Sequence, residues 1–373
     1  MKTVTIWVNG RFLNRKVSGV ERVAIEMLNS LAENFLSPEG VYSTSAIEFQ
    51  FKWALEPGTT HSVPQATKGW ETRTIGKRQG HAWEQIDLAQ FAPSDWLLNL
   101  CNTAPLFRKK QIVFFHDAQV YAIPQNFDWK FKWWYRALFN IAGRRSKVIL
   151  TNSYFSRKEL HHYTHIDLEK IKVIHLGSDH INRISAQFPD EIRLKTHQQP
   201  FVLAVSSASP NKNFAAVLQA LNHLGDKAPY CVIVGQQYAQ VFKASEHQQI
   251  QSNKLIQVGY VSDEVLAGLY QNALCLIYPS FYEGFGLPPL EAMQLSCPVI
   301  ASNTSSIPEV CGEAVVYCDP HNSKTIAKGI EKLMNQASFV STLKKQSLEH
   351  AQQFNWSKSA RRLLHILEEQ IQN

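Results

Sequence analysis

The chain contains the sequence Ser280-Phe-Tyr-Glu283-Gly-Phe-Gly286-Leu-Pro288-Pro-Leu-Glu291-Ala-Met293, directly after an apolar run at residues 273–278. An apolar run of this length between polar residues predicts a buried strand. The two glycines that follow permit positive φ and close approach of the backbone to a ligand. The two prolines suit the first turn of a helix, where their missing N–H groups would have no helical partner. The sequence therefore predicts a strand, a glycine-rich loop and a helix, the repeating unit of a parallel α/β sheet.

One carboxylate lies in this predicted loop and a second in the helix that follows it. Glu283 lies in the loop and Glu291 in the opening turns of the helix. The N–H groups of such a loop and helix N-terminus form a natural site for an anion, most often a phosphate or diphosphate. Two carboxylates beside that site suggest hydroxyl-rich groups, a sugar and a ribose, held around the phosphate. An isolated pair of acids would indicate only a loop cap and a solvated residue, so the combination with the glycines and prolines favours the functional interpretation.

The motif resembles the signature of the retaining, family-4 type glycosyltransferases, which have the GT-B fold. The resemblance covers essentially the whole chain and is strongest over residues 201–319. It implies an α/β protein with two Rossmann-like doubly wound parallel-sheet domains facing a cleft. Residues 1–190 would bind the acceptor and residues 191–355 the nucleotide-sugar donor, while a C-terminal helix at 356–373 would cross back onto the first domain. In that family the first acid, here Glu283, contacts the donor sugar, and the second, here Glu291, the nucleotide ribose.

The alternation of strands and helices along the chain also predicts doubly wound parallel sheets. Helical patterns occupy residues 19–32 and 128–141, the polar segment 185–200 reads as an interdomain linker, and the chain is helical after residue 324, ending in an amphipathic helix with an N-cap near residue 355. Strands are predicted at residues 4–9, 47–54, 96–101, 112–116, 147–151 and 172–176, and then at 201–206, 231–234, 256–261, 273–278 and 298–301.

Composition narrows the classes of partner. The chain has 373 residues, of which 45% are hydrophobic and 18% charged, as in an ordinary globular protein of two domains. Its net charge of +7 suits nucleotide-sugar phosphates or an anionic membrane surface. No segment resembles a nucleic-acid-binding module, so we expect no nucleic-acid partner. The six cysteines form no Cys-x2-Cys pair, and no apolar run approaches the ~20 residues of a membrane span. We therefore expect a cytoplasmic protein, with at most peripheral contact with the cytoplasmic face of the inner membrane.

The resemblance assigns further residues of the second domain to the donor. Lys212 matches the family's cation that neutralises the donor diphosphate, and we expect it to be catalytic together with Glu283. The family often has an arginine at two neighbouring positions, where this chain has Asn211 and Ser206. The loop beside the nucleotide base corresponds to residues 259–262. The predicted donor-binding residues of this domain are thus Glu291, Gly284, Phe285, Gly286, Leu287, Ser206, Asn211, Tyr260 and Val261.

The first domain also carries candidate residues. His116 ends a predicted strand, where parallel sheets place ligands, and family members have a catalytic-site His-Asp pair at this position. Gly19 matches the family's N-terminal glycine loop at the donor phosphate, although a helix N-cap turn accounts for it equally well. The predicted acceptor-binding residues are Arg22, Trp83 and Asn102.

The resemblance implies a hexosyltransferase of bacterial surface polysaccharide or lipopolysaccharide synthesis. Mannose is the favoured sugar, GDP-mannose the favoured co-substrate, and a saccharide or polyprenyl-diphosphate-linked saccharide the acceptor, without a cofactor. The chain has no Asp-x-Asp metal–diphosphate motif, so we expect a metal-independent enzyme. The alternatives are a GT-B-fold sugar-nucleotide epimerase, which the spacing of the two acids disfavours, and a non-catalytic nucleotide-sugar-binding subunit. A Rossmann dehydrogenase is excluded because no Gly-x-Gly-x-x-Gly follows an early strand.

The predicted helix at residues 128–141 mixes aromatic and cationic side chains. Phe127, Phe131, Trp134 and Leu138 share one face at helical spacing, which indicates that most of this face is core. Trp133 and Tyr135 flank that face together with three cations, as in helices that lie on a membrane surface. An ordinary buried helix with a solvated basic back is the alternative.

Overall fold

The computed structural model describes residues 2–206, 209–235 and 254–372, apart from the side chains of Ser206 and Gln372, and these residues form two compact units. Unit 1 consists of Met1–Gly177 and Asn355–Asn373, and unit 2 of Ser178–Phe354. The chain thus leaves unit 1 at Gly177, before the predicted boundary at residue 190.

Unit 1 is built on a largely parallel sheet. Its strands follow the order β2-β3-β1-β5-β6-β7-β8, with β4 beside β3, and the pairing of β2 with β3 is antiparallel. The strands are β1 (Lys2–Asn9), β2 (Val41–Ser43), β3 (Ile47–Leu55), β4 (Thr72–Thr74), β5 (Trp96–Asn99), β6 (Gln111–Phe114), β7 (Val148–Thr151) and β8 (Ile171–Val173). Its helices are α1 (Gly19–Phe35), α2 (Gly80–Ala82), a π-helical turn (Trp83–Asp87), α3 (Leu88–Gln90), α4 (Gln119–Ala122), α5 (Trp129–Arg145) and α6 (Tyr154–Thr164).

Unit 2 contains a second parallel sheet, with the strand order β11-β10-β9-β12-β13-β14. Its strands are β9 (Phe201–Ser206), β10 (Tyr230–Gly235), β11 (Leu255–Gly259), β12 (Cys275–Tyr278), β13 (Val299–Ser302) and β14 (Val316–Cys318). Its helices are α7 (Asp190–Lys195), α8 (Phe214–Leu224), α9 (Asp263–Asn272), α10 (Leu287–Gln294), α11 (Ile307–Cys311), α12 (Ser323–Asn335) and α13 (Ala337–Ala351). Single 3₁₀ turns lie at Gly10–Asn14, Gln65–Thr67, Pro124–Asn126, Leu168–Lys170, Asp179–Arg183, Pro210–Lys212 and Gly225–Lys227 across the two units.

The central strands read as continuous apolar runs because both faces of each sheet are covered. All residues of β5, β6, β7, β12 and β13 are buried. Helices cover parallel sheets on both faces, so alternation between apolar and polar residues disappears. The predicted doubly wound, two-sheet α/β architecture is confirmed.

The C-terminal helix α14 (Trp356–Gln372) packs against α1 within unit 1. Asn355 provides the predicted N-cap, since its Oδ1 accepts a hydrogen bond from the Lys358 N–H at 2.9 Å. The apolar stripe predicted for this helix is buried, at Ala360, Leu363, Leu364, Ile366 and Leu367.

The predicted linker at residues 185–200 is wrong. This segment contains α7 and packs within unit 2, where the Gln187 N–H donates to the Glu264 carbonyl at 2.8 Å. The Gln187 carbonyl also lies against Gly268, 2.2 Å from where a Cβ would stand, so only glycine fits there. The polar composition that suggested a linker reflects the exposed side of a short helix, which buries Ile192 and leaves Leu194 exposed.

Candidate active site

The glycine-rich loop connects β12 to α10 as the sequence predicts. Gly286 has φ +102°, and a Cβ on it would stand 2.6 Å from Ile307 Cδ1, so both conformation and space require glycine. Leu287 begins α10, and the two prolines occupy its first turn. Because prolines have no N–H, Leu287 supplies the remaining first-turn donor of this helix. The anion site expected at the helix N-terminus therefore depends on the loop N–H groups and on a side-chain cation.

That cation is Lys212, which lies against Glu283 and Tyr278. Lys212 Nζ donates hydrogen bonds to Glu283 Oε1 at 2.6 Å and to the Tyr278 hydroxyl at 2.8 Å. It also lies 5.0 Å from the centre of the Tyr278 ring, within the range of a cation–π contact. Burial and the charge of Glu283 raise the pKa of Tyr278 well above its ordinary value, so this phenol stays neutral. One ammonium, one carboxylate and one phenol thus form a largely buried polar cluster.

The position of Lys212 is fixed by the asparagines on either side of it. Asn213 adopts φ +53°, and its Nδ2 donates to the carbonyls of Pro279 at 3.1 Å and Pro320 at 2.7 Å. Asn211 is buried, and its Nδ2 donates to the Tyr282 carbonyl at 3.1 Å. These bonds join the turn carrying Lys212 to the loop carrying Glu283. Asn211, at a position where the family often has an arginine, therefore positions Lys212, and a direct contact with the donor stays a prediction.

Two serines hold the backbone of Glu283. The Glu283 N–H donates to Ser305 Oγ at 3.1 Å, and Ser306 Oγ donates to the carbonyls of Glu283 at 2.9 Å and Phe285 at 3.0 Å. The serines precede α11, in the segment Thr304-Ser-Ser-Ile-Pro308, which has the composition of a helix start. Nothing in that local signal connects the two serines to Glu283, so their role could not be predicted from the sequence.

Glu291 lies between two side chains from other elements of unit 2. Its Oε1 is 3.2 Å from His180 Nε2, and its Oε2 accepts a hydrogen bond from the Tyr270 hydroxyl at 3.5 Å. Burial, followed by the charge of Glu291, raises the pKa of Tyr270 well above its ordinary value. His180 and Tyr270 were also missed, because their approach to Glu291 results from packing and leaves no motif in the sequence.

His116 of unit 1 is a buried, neutral imidazole. Its Nε2 lies 2.9 Å from the Leu100 carbonyl, and since a carbonyl only accepts, Nε2 carries the hydrogen. Burial lowers the pKa of His116 from 6.5 to about 4. The backbone N–H of His116 donates to Asn102 Oδ1 at 2.8 Å, and Asn102 has φ +58°. Asn102 therefore positions His116 through the backbone.

Comparison with known proteins places this architecture in a family. Residues 17–180 match the model described as Glycosyltransferase Family 4, and residues 187–350 the model described as Glycosyl transferases group 1. The O-antigen chain mannosyltransferase B of Escherichia coli is 30% identical over 257 residues, which cover 66% of this chain and 67% of that protein. The chain belongs to the family 4 glycosyltransferases.

Two further comparisons agree with this membership. The O-antigen chain mannosyltransferase RfbU of Salmonella typhimurium (strain LT2) is 28% identical to this glycosyltransferase over 255 residues, covering 67% of this chain and 69% of that protein. The crystal structure of Anabaena HepE in complex with UDP and glucose superposes with a TM-score of 0.73 at 19% identity, covering 98% of this chain and 100% of that one. At this identity the likeness concerns the GT-B fold.

The other predicted donor-binding residues of the glycosyltransferase differ in accessibility. Gly284 and Phe285 are buried in the loop, Leu287 is half-buried, and Tyr260 is 66% exposed. Val261 is half-buried, next to Tyr260. Ser206 ends β9 with a backbone pairing to Gly235, but its side chain lies outside the described part of the chain. Direct donor contacts by these residues stay predictions.

One predicted acceptor contact is contradicted. Trp83 is fully buried against Trp7, Ala54 and Leu97, and its Nε1–H already donates to the Ile75 carbonyl at 2.8 Å. Its side chain therefore has no surface to offer an acceptor and belongs to the core of unit 1. The sequence could not show this, because an amphipathic indole suits both a core and a sugar-binding surface.

The remaining first-domain predictions lie at the start of α1. Gly19 is the first residue of that helix, behind a capping box made by Ser18 and Glu21, and a Cβ on it would meet no described atom within 4 Å. Arg22 lies one turn before Glu26, with 3.7 Å between Nη1 and Oε1. The N-cap interpretation of this segment is correct, and the proposed ligand contacts of Gly19 and Arg22 stay predictions.

A buried polar group in unit 1 was not recognised from the sequence. Glu84 is fully buried, with its Oε2 2.9 Å from Arg11 Nη1 and its Oε1 accepting from Asn9 Nδ2 at 2.9 Å. Burial alone would raise the pKa of Glu84, but the hydrogen bond with His81 and the charge of Arg11 lower it below its usual value. Because the ion pair lies at the end of β1, it fixes the Arg11 loop at that edge of the sheet.

No metal centre is formed by the residues that the structure describes, since no three His, Cys, Asp or Glu side chains cluster with suitable spacing. His161 instead places its Nδ1 2.7 Å from the Ile166 carbonyl, and His165 is the C-cap of α6, with φ +54°. All six cysteines are buried and unpaired. None of the described helices has the length and apolar character needed to cross a membrane.

Proposed function

We propose that this glycosyltransferase is a retaining mannosyltransferase, which transfers mannose from GDP-mannose to a saccharide or a polyprenyl-diphosphate-linked saccharide in bacterial surface polysaccharide synthesis. The observation that carries the proposal is the buried cluster of Lys212, Glu283 and Tyr278. The names of the E. coli and Salmonella relatives, both O-antigen mannosyltransferases, support the choice of sugar.

In this proposal Lys212 faces the diphosphate that leaves. The Lys212 and Glu283 side chains are 19% and 8% exposed, so both charges have lost most of their hydration. A preorganised cation in such a site stabilises developing negative charge far better than a cation in water, typically by ~3 kcal/mol. Tyr278 accepts a hydrogen bond from the ammonium and, because the phenol stays neutral, adds no competing negative charge.

Glu283 accepts a hydrogen bond from a hydroxyl group of the donor sugar. Its backbone is fixed by the two serines described above, and its carboxylate is oriented by Lys212. Lys212 Nζ carries three hydrogens, and its bonds to Glu283 Oε1 and the Tyr278 hydroxyl use two of them. The third hydrogen is donated to the diphosphate, while Glu283 Oε2 accepts from the sugar. Such a contact gains strength as positive charge develops on the ring, and so it accelerates the chemical step.

The transfer then proceeds on one face of the sugar. The bond between the anomeric carbon and the diphosphate oxygen breaks, and a bond between that carbon and the acceptor oxygen forms on the same face. The acceptor proton passes to the leaving phosphate oxygen, so the products are the glycoside and GDP, with the anomeric configuration retained.

The experiment is to incubate the protein with GDP-mannose, and in parallel with UDP-glucose and UDP-galactose, with and without a lipid-linked saccharide acceptor. We expect a mannosylated product only with acceptor, carrying the donor's anomeric configuration by NMR. An altered sugar nucleotide formed without acceptor would indicate the epimerase, and binding without any product the non-catalytic subunit. Glu283→Gln should lower kcat about 100-fold in a folded protein, whereas Glu313→Gln, at an exposed position of unit 2, should leave kcat unchanged.

We further propose an anionic membrane surface as a partner of unit 1, through α5. The helix carries five cations and no acid, and Trp129 and Trp133, one turn apart, are 70% and 69% exposed. They line a groove of about 470 Å³ together with Lys132 and Arg136. Exposed indoles beside cations are the side chains that enter a lipid headgroup layer.

The structure changes which aromatic residues of α5 would enter the lipid headgroup layer. Tyr135 is half-buried and stacks on Phe131 at 4.2 Å between ring centres, so it belongs to the packed side and Trp129 replaces it on the exposed side. Phe131, expected in the core, is 37% exposed. At the other end of α5, Arg145 lines a second groove of about 500 Å³ whose other cations are Lys109, Lys147, Lys170 and Lys172.

Vesicle sedimentation tests this partner. We expect the protein to bind vesicles of anionic phospholipid, less tightly as salt rises, because screening weakens the attraction. The double variant Trp129→Ser/Trp133→Ser should bind at least ~10-fold more weakly, since each indole buries a large apolar surface. Leu194→Ser, which removes an apolar side chain that is 72% exposed in unit 2, is the matched control and should bind like the wild type. Equal binding by all three proteins would contradict the proposal.

A further inference from the structure

The two oxygens of the Glu291 carboxylate are each approached by one protein group. His180 Nε2 lies 3.2 Å from Oε1, and the Tyr270 hydroxyl donates to Oε2 at 3.5 Å. The Glu291 side chain is 11% exposed, so a small part of this carboxylate still reaches the surface. Each carboxylate oxygen has two acceptor positions, so one position per oxygen remains when both protein groups donate.

The three residues come from separate elements that pack firmly together. His180 belongs to the 3₁₀ turn Asp179–Arg183, Tyr270 to α9 and Glu291 to α10. Ser178 Oγ lies 3.5 Å from Gln294 Oε1, so the 3₁₀ segment contacts α10 at residues 291 and 294, which share one helix face. The imidazole is only 4% exposed, and Tyr270 is fully buried. Neither side chain can swing away from Glu291 without disturbing the packing around it.

Tyr270 is confined to the role of donor. Its raised pKa keeps the phenol protonated at any physiological pH, and a phenol beside a carboxylate, which only accepts, must point its hydrogen at that carboxylate. Because the Glu291 carboxylate only accepts, His180 likewise carries a hydrogen on the Nε2 that lies 3.2 Å from Oε1.

We infer that His180 and Tyr270 are positioning residues that hold Glu291 as a two-oxygen acceptor for a vicinal diol, and that they thereby select ribonucleotide over deoxyribonucleotide donors. The inference rests on the proposed function and on the contact of Glu291 with the donor ribose that the family resemblance implies. A carboxylate that takes one protein donor on each oxygen keeps one further acceptor position on each oxygen, so it can accept from two adjacent hydroxyl groups. Hydrogen bonds to a carboxylate are about twice as strong as neutral ones, so a missing hydroxyl is penalised strongly.

The test measures nucleotide affinity by calorimetry. GDP, UDP and ADP are titrated first, and the nucleotide that binds is compared with its 2′-deoxy and 3′-deoxy forms. We expect each deoxy form to bind wild-type protein at least ~10-fold more weakly, the effect of losing one charge-assisted hydrogen bond. If none of the three ribonucleotides binds, the proposed function fails; if one binds but the deoxy forms bind equally well, only the present inference fails.

Variants separate positioning from mere stability. His180→Leu and Tyr270→Phe should each raise KM for the donor about 10-fold with little change in kcat, and each should reduce the discrimination against deoxy forms. His180→Gln, whose amide N–H can replace the ring donor, should restore both. In a Glu291→Gln background, His180→Leu should have no further effect on affinity, since both changes act through the same carboxylate.

Two matched controls exist within unit 2. His350 places its Nε2 2.9 Å from the Val310 carbonyl, and the Tyr317 hydroxyl donates to the Gly312 carbonyl at 2.6 Å. His350→Leu and Tyr317→Phe remove comparable hydrogen bonds away from Glu291, and they should lower thermal stability without altering the preference for ribonucleotides. The inference is overturned if the control variants change that preference as much as the His180 and Tyr270 variants do, or if His180→Gln behaves like His180→Leu.

Discussion

Replacing Lys212 by methionine should reduce both the stability and the activity of the glycosyltransferase, for two separable reasons. The substitution keeps most of the apolar stem and removes the ammonium that donates to Glu283 at 2.6 Å and to Tyr278 at 2.8 Å. Glu283, only 8% exposed at its side chain, is then left as a buried carboxylate without its cation. Breaking a buried ion pair in this way costs about 3–5 kcal/mol of unfolding free energy.

For a unit of this size, such a loss lowers Tm by about 10 °C. The double variant Lys212→Met/Glu283→Gln removes both charges, so most of the lost stability should return, as is common when a buried pair is replaced as a whole. Activity should not return, because the cation facing the diphosphate and the carboxylate facing the sugar are both missing. The coupling free energy between the two positions is obtained by comparing the loss of unfolding free energy in the double variant with the sum of the losses in the two single variants.

Urea unfolding followed by circular dichroism gives the free energies, and transfer of radiolabelled mannose gives the activity. Two results would refute the reasoning. If Lys212→Met loses less than about 1 kcal/mol, the pair is more hydrated than its contacts indicate. If the double variant regains activity together with stability, the cluster is structural and the chemistry lies elsewhere.

Three other predictions concern acid stability, the loop and metals. The unfolded chain binds a proton on His116 below its ordinary pKa of 6.5 and the folded protein only near 4. Above pH 6.5 His116 does not reduce the free energy of unfolding, and as pH falls towards 4 that free energy falls by up to about 3 kcal/mol. In urea titrations at pH 7 and pH 4, His116→Gln should make this loss smaller. Gly286→Ala should cost about 1–3 kcal/mol in thermal unfolding because of its φ of +102° and the nearby Ile307, whereas Gly19→Ala, with nothing within 4 Å of its Cβ, should leave Tm unchanged. Mannosyl transfer should persist in EDTA, since the sequence has no Asp-x-Asp motif; loss of activity that magnesium or manganese restores would count against this.

Much of the fold follows from the sequence, because its signals are local. The apolar run at residues 201–206 coincides with β9, and the motif around Glu283 gives β12, the loop and α10 in the predicted order. Apolar runs, glycines that need positive φ and prolines in a first helical turn all act over a few residues, so they can be read without knowing what packs on them. The three-residue strands β2, β4 and β14 escaped prediction, whereas the equally short β8 was predicted as part of a longer run at residues 172–176.

Other features were decided by tertiary structure. The sequence offered Trp83 as a sugar-binding residue and residues 185–200 as a linker, and packing placed the first in the core and the second as a helix on unit 2. The approach of His180 and Tyr270 to Glu291 likewise joins three elements far apart in the chain. A residue's type specifies what its side chain can bind, whereas the free energy of burying it depends on the neighbours that the whole fold brings to it. The sequence alone thus identified the acids and the lysine of the candidate site, and only the folded chain determined what holds each of them in place.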